Sequence, residues 1–462
     1  MVGHEVGALG KHIALIGFMG AGKSTIGQEV ARLTRRPFVD TDEEIERLHG
    51  PIPTVFEERG ETEFRRIEEE VLNSALAGSE AVIALGGGGV LSPVNRERLR
   101  ARAFTVLVLV DVETAWERVR GSDRPLVQRR EEFGKLFEVR ESLYAVTRDA
   151  HARSSEDVLL ASLGITSRRL VDVVPPDSAA LIADEDVLAL RRAGFRPGSI
   201  HTVPAGEKAK SLAVVERLWS ELALGRDGTI VGYGGGSTTD VAGFTAATYI
   251  RGVSWIAVPT TLTGQVDAAI GGKTGINTPG GKNLVGGFHF PGRVVIDTDL
   301  LATLPERERR AGMAEVVKTG LLAGRELWAL PEEEMIRACA ASKAAIVLSD
   351  PYEREGRRTV LNLGHTFAHA LEAGSGYAVS HGEAVALGLL AALRLSGLPT
   401  DAVEDVLRPE PVPADPDAAW AALKRDKKGE GVFVLLEAPG KPVVTTVPEA
   451  DARRALAELI RK

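Results

Sequence analysis

Hydrophobic and polar residues follow two patterns along the chain. Over roughly the first two thirds, short apolar runs such as 13–16, 81–85, 180–183 and 254–258 are followed by turns or glycines and then by helical stretches. This alternation predicts an α/β fold with parallel sheets that helices cover on both faces. From about Leu300 the apolar residues recur at helical spacing. That spacing predicts a mainly α-helical region that closes with a strand at 432–436 and a terminal helix.

Length and composition bound the classes of protein that fit. The chain has 462 residues, more than one hydrophobic core normally supports, so we expect two or three domains. A hydrophobic content of 44% and a charged content of 26% are typical of an ordinary globular protein. The net charge of −8 argues against non-specific nucleic-acid binding and leaves small anions to local basic clusters. The single cysteine, Cys339, excludes an internal disulfide and suits a reducing compartment.

No segment has the pattern of a membrane anchor. The longest apolar run, 384–398, is interrupted by Arg394 and is too short to span a bilayer. The first residues lack the pattern of a signal peptide. We therefore expect a cytoplasmic protein that acts on small molecules, without membrane or nucleic-acid partners.

A phosphate-binding loop follows the first predicted strand. Residues 17–24 have the sequence Gly-x4-Gly-Lys-Ser, and a helical run begins directly after them. Glycines allow backbone amides to curl around phosphates, the Lys23 ammonium supplies positive charge, and the Ser24 hydroxyl can ligate magnesium. A chance glycine-rich turn is the alternative, and the strand-to-helix context disfavours it.

Further polar residues follow at the loops of this predicted sheet. Asp40 and Asp42 end the second strand, where a carboxylate can assist magnesium or a substrate hydroxyl, or simply cap a helix. Arg65 lies in a predicted helix, where it would bind a carboxylate or be solvated. Glycines 86–89 follow a buried strand and permit close approach of a ligand.

Together, these motifs resemble shikimate kinase over roughly residues 10–160. The resemblance also includes Arg124-Pro-Leu and Arg140-x-x-x-Tyr144, in a polar helical part that could close over phosphates. It implies ATP and Mg²⁺ as cofactors and a nucleotide site at Gly17, Gly20, Gly22, Lys23, Ser24 and Thr25. It implies that shikimate contacts Asp42, Arg65, Gly87, Gly88 and Arg140, that Asp40 lies near Mg²⁺, and that Arg124 and Lys23 neutralise the transferred phosphate. Arg118 and Arg120 are both candidates for the adenine side.

The next α/β segment carries a turn similar to a dinucleotide-binding turn. The strand at 229–231 enters a run with glycines at 232 and 234–236, and a helix follows to about Ala247. The usual third glycine falls on Ser237 and no acid lies about 20 residues on, so the turn alone is a weak signal. Beyond it, Lys273, Asn277, Lys282 and Asn283 lie among glycines. They suit oxyanion binding, with an exposed basic loop as the alternative.

Three of the nine histidines lie between 365 and 381. His365 and His369 are four apart in a helical run, so their rings would share one face. His381 opens a second helix, where Ser380 and Glu383 form a capping-box pattern. Two rigid helices could aim imidazoles at one point, as a metal site requires, and core or surface histidines are the alternative.

A carboxylate and an ammonium precede these histidines on a predicted helix. Glu315 and Lys318 are three residues apart and would share a helix face. This spacing favours a surface ion pair. Two imidazoles and one carboxylate nevertheless form a known three-ligand zinc set, so Glu315 is also a candidate ligand.

Residues 180–436 resemble 3-dehydroquinate synthase. The resemblance rests on the glycines at 234–236 with Asp240, on Val258-Pro-Thr-Thr, Gly-Gly-Lys273, Ala-Glu315-Val-Val-Lys318, Leu-Asn362-Leu-Gly-His365 with His369, and His381-Gly-Glu. It implies a divalent metal, Zn²⁺ or Co²⁺, on Glu315, His365 and His381, so His369 would serve the substrate or a proton. It implies NAD along Asp184, Glu207, Lys210, Gly234, Gly235, Gly236, Asp240, Thr260 and Thr261. Catalytic or substrate-binding roles would fall to Arg251, Asp267, Lys273, Lys282, Asn283, Lys318, Lys343, Arg358, Asn362, His369 and Lys427 or Lys428, of which we favour Lys428.

The resemblances predict a bifunctional enzyme of four segments. We expect a P-loop kinase domain at 1–160, a linker at 161–172, a Rossmann-like NAD-binding α/β part at 173–298, and a helical metal-binding part at 299–462. A homodimer through the synthase half is implied by the second resemblance. Another sugar-phosphate cyclase and a metal-dependent alcohol dehydrogenase are the alternatives for that half.

Overall fold

A computed structural model describes residues 6–120, 129–170, 179–191, 196–426 and 432–461. The chain divides into two compact units, the first ending at Ile165 and the second beginning at Thr166. Two residues with predicted roles, Arg124 and Lys428, lie outside the described residues, as does Lys427. Among the helices described, none is long and apolar enough to cross a membrane.

The first unit is built on a parallel sheet of five strands in the order β2-β3-β1-β4-β5. The strands are β1 (His12–Ile16), β2 (Phe38–Asp40), β3 (Val82–Ala84), β4 (Ala103–Val108) and β5 (Ala150–Ala152). Its helices are α1 (Lys23–Thr34), α2 (Thr41–His49), α3 (Ile52–Ala77), α4 (Pro93–Arg102), α5 (Val112–Val119), α6 (Arg130–Thr147) and α7 (Ser155–Ser162). The central strand β1 is buried along its whole length, as its continuous apolar run predicts for a sheet covered on both faces.

The second unit begins with a sheet of six strands in the order β6-β13-β10-β9-β7-β8, and its assigned pairs from β13 to β8 are parallel. Its strands are β6 (Ile165–Ser167), β7 (Ala180–Asp184), β8 (Ser199–Val203), β9 (Thr229–Gly234), β10 (Ser254–Pro259) and β13 (Arg293–Ile296). The helices α8 (Glu185–Leu190), α9 (Leu212–Glu221) and α10 (Gly236–Thr248) accompany it. An antiparallel hairpin of β11 (Lys273–Thr278) and β12 (Gly281–Phe288) lies between β10 and β13 in the sequence.

The rest of the second unit is mainly helical, as the spacing of apolar residues predicts. It contains α11 (Glu306–Ala323), α12 (Glu332–Ser349), α13 (His365–Gly374), α14 (His381–Ser396), α15 (Asp401–Leu407), α16 (Pro416–Asp426) and α17 (Glu449–Glu458). The hairpin of β14 (Val432–Ala438) and β15 (Lys441–Thr446) packs into the hydrophobic core that α11, α13 and α14 form. Helix α14 is buried on nearly all sides, from Ala384 to Leu393. The predicted fold class, two α/β parts and a helical part, is confirmed.

Two details of the sequence prediction differ from the structure. Secondary structure enters the segment 161–172, because α7 continues to Ser162 and β6 spans Ile165–Ser167 as an edge strand of the second sheet. Strand β6 has the sequence Ile-Thr-Ser, whose single apolar residue gives no apolar run to recognise. Strand β15 was not separated from the terminal region, because none of its residues is fully buried and its apolar signal is weak.

Candidate active sites

Three glycines with positive φ shape the phosphate loop between β1 and α1. Gly17, Gly20 and Gly22 have φ of 144°, 80° and 88°, conformations that glycine adopts without strain. A side chain at Gly17 would also meet the carbonyl of Val108 at 2.7 Å. The loop delivers Lys23 to the first position of α1, where its Nζ donates to the carbonyls of Gly17 (2.9 Å) and Phe18 (3.1 Å). The ammonium therefore spans the inside of the loop.

A serine and an aspartate face each other beside this loop. Ser24 Oγ donates to Oδ2 of Asp40 at 2.5 Å. The other oxygen of Asp40 accepts from the backbone N–H of Asp42 at 3.0 Å and caps α2. Of the two candidate N-caps, Asp40 is therefore the one used, and Asp42 is left to face the cavities.

A cavity of about 300 Å³ lies over the loop. It is lined by Gly20, Gly22, Lys23, Ser24, Thr25, Asp40, Asp42 and Arg118, among others. Arg118 Nη1 donates to the carbonyl of Gly20 at 3.0 Å, whereas Arg120 is the residue that ends α5. Of the two arginines considered for the adenine side, Arg118 is therefore the one in contact with the loop.

A second cavity of about 380 Å³ adjoins the first and collects the other predicted residues of this unit. It is lined by Asp42, Arg65, Glu68, Gly87, Gly88 and Arg140, together with apolar residues that include Phe56 and Phe64. Arg140 is buried in α6 rather than placed on a closing segment, and its Nη1 donates to the Gly87 carbonyl at 3.2 Å. Its Nε has no hydrogen-bond partner among the described residues.

Glu68 is a buried member of this cavity that the sequence analysis missed. Its Oε2 accepts from Nη1 of Arg65 at 2.7 Å. Burial raises the pKa of Glu68, although Arg65 opposes this shift, and burial lowers the pKa of Arg140. The signal was present in the sequence, since Glu68 follows Arg65 by three residues and so shares its helix face.

The glycine-rich turn of the second unit joins β9 to the N-terminus of α10. A side chain at Gly234 would meet Thr238 at 2.7 Å and Asp184 at 2.9 Å, so the side chains of these two residues lie close to the backbone of the turn. Gly235 and Gly236 open α10, where unpaired N–H groups attract anions. Thr260 lies next to the turn through its N–H, which donates to the Gly234 carbonyl at 2.9 Å. Its buried hydroxyl has no hydrogen-bond partner among the described residues.

Charged side chains surround this turn. Lys210 contacts both Asp240 and Asn283. Burial raises the pKa of Asp240, although Lys210 opposes it. Glu207 accepts from Asn277 at 2.7 Å and from Ser237 at 3.1 Å. Burial opposes the charge of Glu207, but Lys210 and these hydrogen bonds lower its pKa.

Asp184 and Thr261 have local partners in the same region. The carboxylate of Asp184 caps α8 by accepting from the N–H groups of Asp186 (3.0 Å) and Val187 (3.2 Å). Thr261 Oγ1 accepts from the N–H of Gly264 at 3.1 Å. Both therefore have a demonstrated structural role.

Glu315, His365 and His381 converge on one point although three different helices carry them. Their ligand atoms all lie within 4.8 Å of one another, the spacing of a metal site. Oε1 of Glu315 is 3.6 Å from Nε2 of His365 and 3.4 Å from Nε2 of His381. His369 is not a member of this group, although its ring centroid is 5.8 Å from that of His365. Helical spacing places the rings of His365 and His369 side by side, whereas the group that could hold a metal includes His381 instead.

Close contacts between helices set this convergence. A side chain at Gly382 would meet Cα of Ala311 at 2.2 Å, and one at Gly388 would meet the Gly364 carbonyl at 2.1 Å. These glycines allow α14 to approach α11, which carries Glu315, and the start of α13, which carries His365. The capping box predicted at Ser380 and Glu383 is present and begins α14 at His381.

A buried network of charges adjoins the three ligands. Lys318 Nζ is 2.5 Å from Oε2 of Glu315 and 3.8 Å from Asp267, whose Oδ1 is 2.6 Å from Nζ of Lys343. Burial disfavours every one of these charges. It lowers the pKa of Lys343, but Asp267 and Glu315 raise the pKa of Lys318, and the two lysines lower the pKa of Asp267. The expected surface pair of Glu315 and Lys318 is thus almost wholly buried.

The remaining predicted residues are held by carboxylates or carbonyls, or are exposed. Lys273 pairs with Glu353, and Lys282 donates to Glu372 at 3.0 Å. Arg358 is buried and donates to the carbonyls of Gly271 (3.0 Å) and Pro351 (2.8 Å), while its Nε has no hydrogen-bond partner among the described residues. Arg251, Asn362 and His369 are exposed, as are Lys273 and Asn283.

Comparisons with protein families divide the chain in the same way. The family model for shikimate kinase matches residues 19–162. The models for the N-terminal and C-terminal parts of 3-dehydroquinate synthase match residues 200–311 and 312–428.

Individual relatives and a solved structure agree with this division. A bifunctional shikimate kinase/3-dehydroquinate synthase from Thermotoga maritima is 36% identical over 411 residues, 82% of this chain and 83% of that protein. A 3-dehydroquinate synthase from Salinibacter ruber is 40% identical over 331 residues, 64% of this chain and 90% of that protein. The fold is also similar to a crystal structure of 2-deoxy-scyllo-inosose synthase complexed with carbaglucose-6-phosphate, NAD⁺ and Co²⁺. The two sequences are 27% identical, the TM-score is 0.57, and the match covers 64% of this chain and 96% of the synthase chain.

Proposed function

The chain belongs to the family of bifunctional shikimate kinase/3-dehydroquinate synthases, and on that premise we propose how its side chains divide the two reactions. The first unit phosphorylates shikimate with ATP. The second converts 3-deoxy-D-arabino-heptulosonate 7-phosphate to 3-dehydroquinate with release of phosphate. Membership of this family disfavours the alternatives of another cyclase or an alcohol dehydrogenase.

In the first unit the nucleotide phosphates would lie in the cavity over the loop. Lys23, which donates to two carbonyls of its own loop, would exchange these for phosphate oxygens. The hydroxyl of Ser24 and the carboxylate of Asp40, 2.5 Å apart, are hard oxygen donors of the kind Mg²⁺ prefers. Gly17, Gly20, Gly22 and Thr25 would complete the nucleotide site. Arg124 lies outside the described residues, and we propose for it the neutralisation of the transferred phosphate that the resemblance implies.

Shikimate would occupy the adjoining cavity of about 380 Å³. Arg65 and Arg140 present guanidinium groups that can bind a carboxylate in a bidentate manner. Gly87 and Gly88 leave room for the ring, and Asp42 lines both cavities, so its carboxylate can orient the attacking hydroxyl and accept its proton. Catalysis would then come from positioning and from neutralisation of charge on the transferred phosphate.

In the second unit, NAD fits the turn at Gly234 to Gly236. Its diphosphate would face the N-terminus of α10, beside the hydroxyl of Thr260, for which the described part of the chain offers no hydrogen-bond partner. Asp184, Glu207, Lys210, Asp240 and Thr261 supply polar groups along the same edge of the sheet. When bound, NAD supplies hydride acceptance and return.

A divalent metal, Zn²⁺ or Co²⁺, fits Glu315, His365 and His381. Two imidazoles and a carboxylate leave a catalytic metal one open position. Both histidines direct Nε2 at Glu315 and hold Nδ1 against an oxygen acceptor, the backbone carbonyl of Leu363 at 3.2 Å for His365 and Glu372 at 3.5 Å for His381. These acceptors would favour a proton on Nδ1, which leaves the Nε2 lone pair for a metal. When bound, the metal would supply a Lewis acid beside a substrate hydroxyl.

The phosphosugar acid would be held by the basic groups around this centre. Lys273, Lys282 and Arg358 would bind its carboxylate and phosphate, and Asn283, Asn362, Asp267 and Arg251 its hydroxyls and remaining oxygens. Lys428 lies outside the described residues, and we propose for it the substrate-binding role that the resemblance implies. Lys318, Lys343 and His369 would hold or transfer protons. We further propose a cytoplasmic homodimer that pairs through the second unit, which light scattering would test.

The convergence of Glu315, His365 and His381 is the observation that most supports this division of roles. We expect purified enzyme to release phosphate from 3-deoxy-D-arabino-heptulosonate 7-phosphate with catalytic NAD, and to consume ATP only when shikimate is present. Lys23→Ala would abolish the shikimate-dependent consumption of ATP and leave the release of phosphate unchanged. Stoichiometric NADH without phosphate release would contradict the synthase assignment, and shikimate-independent ATP consumption would contradict the kinase assignment.

A further inference from the structure

The carboxylate of Glu372 lies between two groups of the second site. The residue belongs to α13 and is only 3% exposed. Its Oε1 is 3.0 Å from Nζ of Lys282 and 3.5 Å from Nδ1 of His381. The opposite ring nitrogen of His381 is 3.4 Å from Glu315. One buried oxygen therefore contacts both a proposed metal ligand and a proposed substrate lysine.

The two proposed histidine ligands have different acceptors behind them. Nδ1 of His365 faces the neutral backbone carbonyl of Leu363, whereas Nδ1 of His381 faces a carboxylate. A charged acceptor makes an imidazole a stronger donor to a metal and restrains its ring. Of the two imidazoles, His381 is therefore the one whose basicity and orientation depend on an acidic side chain.

The surroundings of Glu372 pair its buried carboxylate with an ammonium. Oε1 accepts from Nζ of Lys282 at 3.0 Å while it faces Nδ1 of His381 at 3.5 Å. The Lys282 ammonium also lies 4.8 Å from the centroid of the Tyr377 ring, which holds it on the same side of the carboxylate. An ionised buried carboxylate is costly unless it is paired, so removal of either partner would lower the free energy of unfolding.

We propose that Glu372 is a positioning residue that orients His381 toward the metal and, through the same oxygen, anchors Lys282 of the β11–β12 hairpin beside the metal centre. This inference rests on the metal site proposed above. Glu372 is not a member of the group that would hold the metal, and it would act through His381 and Lys282. Metal affinity and the placement of Lys282 both depend on its charge.

Binding of Co²⁺ alone to the full chain tests this role, with four variants. Glu372→Gln keeps the shape of the side chain and removes its charge. We expect it to weaken Co²⁺ binding about 10- to 100-fold and to change the visible absorption spectrum of the bound ion. Glu372→Asp keeps the charge on a shorter side chain, so its affinity for Co²⁺ should lie between those of Glu372→Gln and the wild type. Lys282→Met should keep Co²⁺ binding close to wild type, and Glu404→Gln, at an exposed residue of α15, is the matched control.

Kinetics with excess Co²⁺ separate positioning from general destabilisation. In Glu372→Gln, excess Co²⁺ should restore kcat. The KM for the phosphosugar should stay raised, because Lys282 has lost its ion pair with Glu372. Lys282→Met should raise this KM and leave kcat unchanged. Wild-type affinity and spectrum in Glu372→Gln would overturn the role of Glu372. A wild-type chain that takes up no Co²⁺ would instead overturn the metal centre and this role with it. If Glu372→Gln does not fold, Glu372→Asp decides on the same readouts.

Discussion

Nζ of Lys318 lies 2.5 Å from Oε2 of Glu315, and both side chains are at most 2% exposed. The other oxygen of this carboxylate faces His365 and His381. A single buried glutamate therefore contacts an ammonium through one oxygen and two imidazoles through the other. Burying such a pair is costly, and breaking it by removal of one partner is more so.

Lys318→Met should have opposite effects on stability and on metal binding. The metal-free protein should lose about 3–5 kcal/mol of unfolding free energy, because the buried charge of Glu315 loses its ammonium partner. Affinity for Zn²⁺ should rise, because a positive charge no longer competes for the carboxylate. Chemical denaturation and competition with a chelator would measure the two effects. The exposed Lys424→Met should change neither, and unchanged Zn²⁺ affinity in Lys318→Met would contradict the prediction.

His369→Ala should lose turnover and keep its metal. The His369 ring is exposed and lies outside the group formed by Glu315, His365 and His381. His365→Ala removes a member of that group and should lose the metal as well. Metal content after dialysis, measured beside the rate of phosphate release, distinguishes the two variants. Loss of metal from His369→Ala would restore the interpretation based on helical spacing.

Gly88→Ala should weaken shikimate binding without unfolding the first unit. The added Cβ would lie 2.1 Å from Nη1 of Arg65, so the guanidinium must move. Since the displaced atoms are the end of a flexible side chain, we expect the unit to remain folded, with a lower melting temperature because Nη1 of Arg65 also pairs with the buried Glu68. Loss of one charge-assisted hydrogen bond, about 1.5–3 kcal/mol, corresponds to a KM for shikimate raised roughly 10- to 100-fold.

Two steady-state comparisons check this expectation. The KM for ATP should not change in Gly88→Ala, because the phosphate loop is untouched. Gly78→Ala is the matched control, since its Cβ would meet no atom closer than 3.7 Å. An unaltered KM for shikimate would show that Arg65 does not bind it.

His12→Asn should remove an acid-sensitive contribution to stability. Nδ1 of His12 accepts from the N–H of Ala81 at 3.1 Å, and burial lowers the pKa of His12 below its usual 6.5. The unfolded chain therefore binds a proton at a higher pH than the folded chain. Stability from this group is full above about pH 6.5 and falls as the pH drops toward the folded pKa.

Asparagine keeps an acceptor in a similar position and does not titrate. The melting temperature of the wild type should thus fall faster than that of His12→Asn between about pH 7.5 and about pH 5.5. Calorimetry at several pH values would measure the difference. Parallel curves for the two proteins would mean that His12 does not titrate on unfolding.

Much of this protein is determined by local patterns in its sequence. Continuous apolar runs predicted the buried strands, and the phosphate loop and the capping box at Ser380 were recognisable because neighbouring residues alone form them. The family resemblances, and with them the fold class and both activities, were confirmed by the comparisons. Backbone geometry over a few residues is encoded by those residues themselves.

Tertiary structure alone decided which side chains meet. The sequence left open whether Asp40 or Asp42 caps α2, predicted a surface site for the pair of Glu315 and Lys318, and gave no role to Glu372. Each outcome depends on contacts between elements far apart in the chain, such as the close approach of α14 to α11 at Gly382 and to Gly364 at Gly388. Periodicity specifies the face of a helix but not its neighbour, because the distance and rotation between helices come from packing over the whole core.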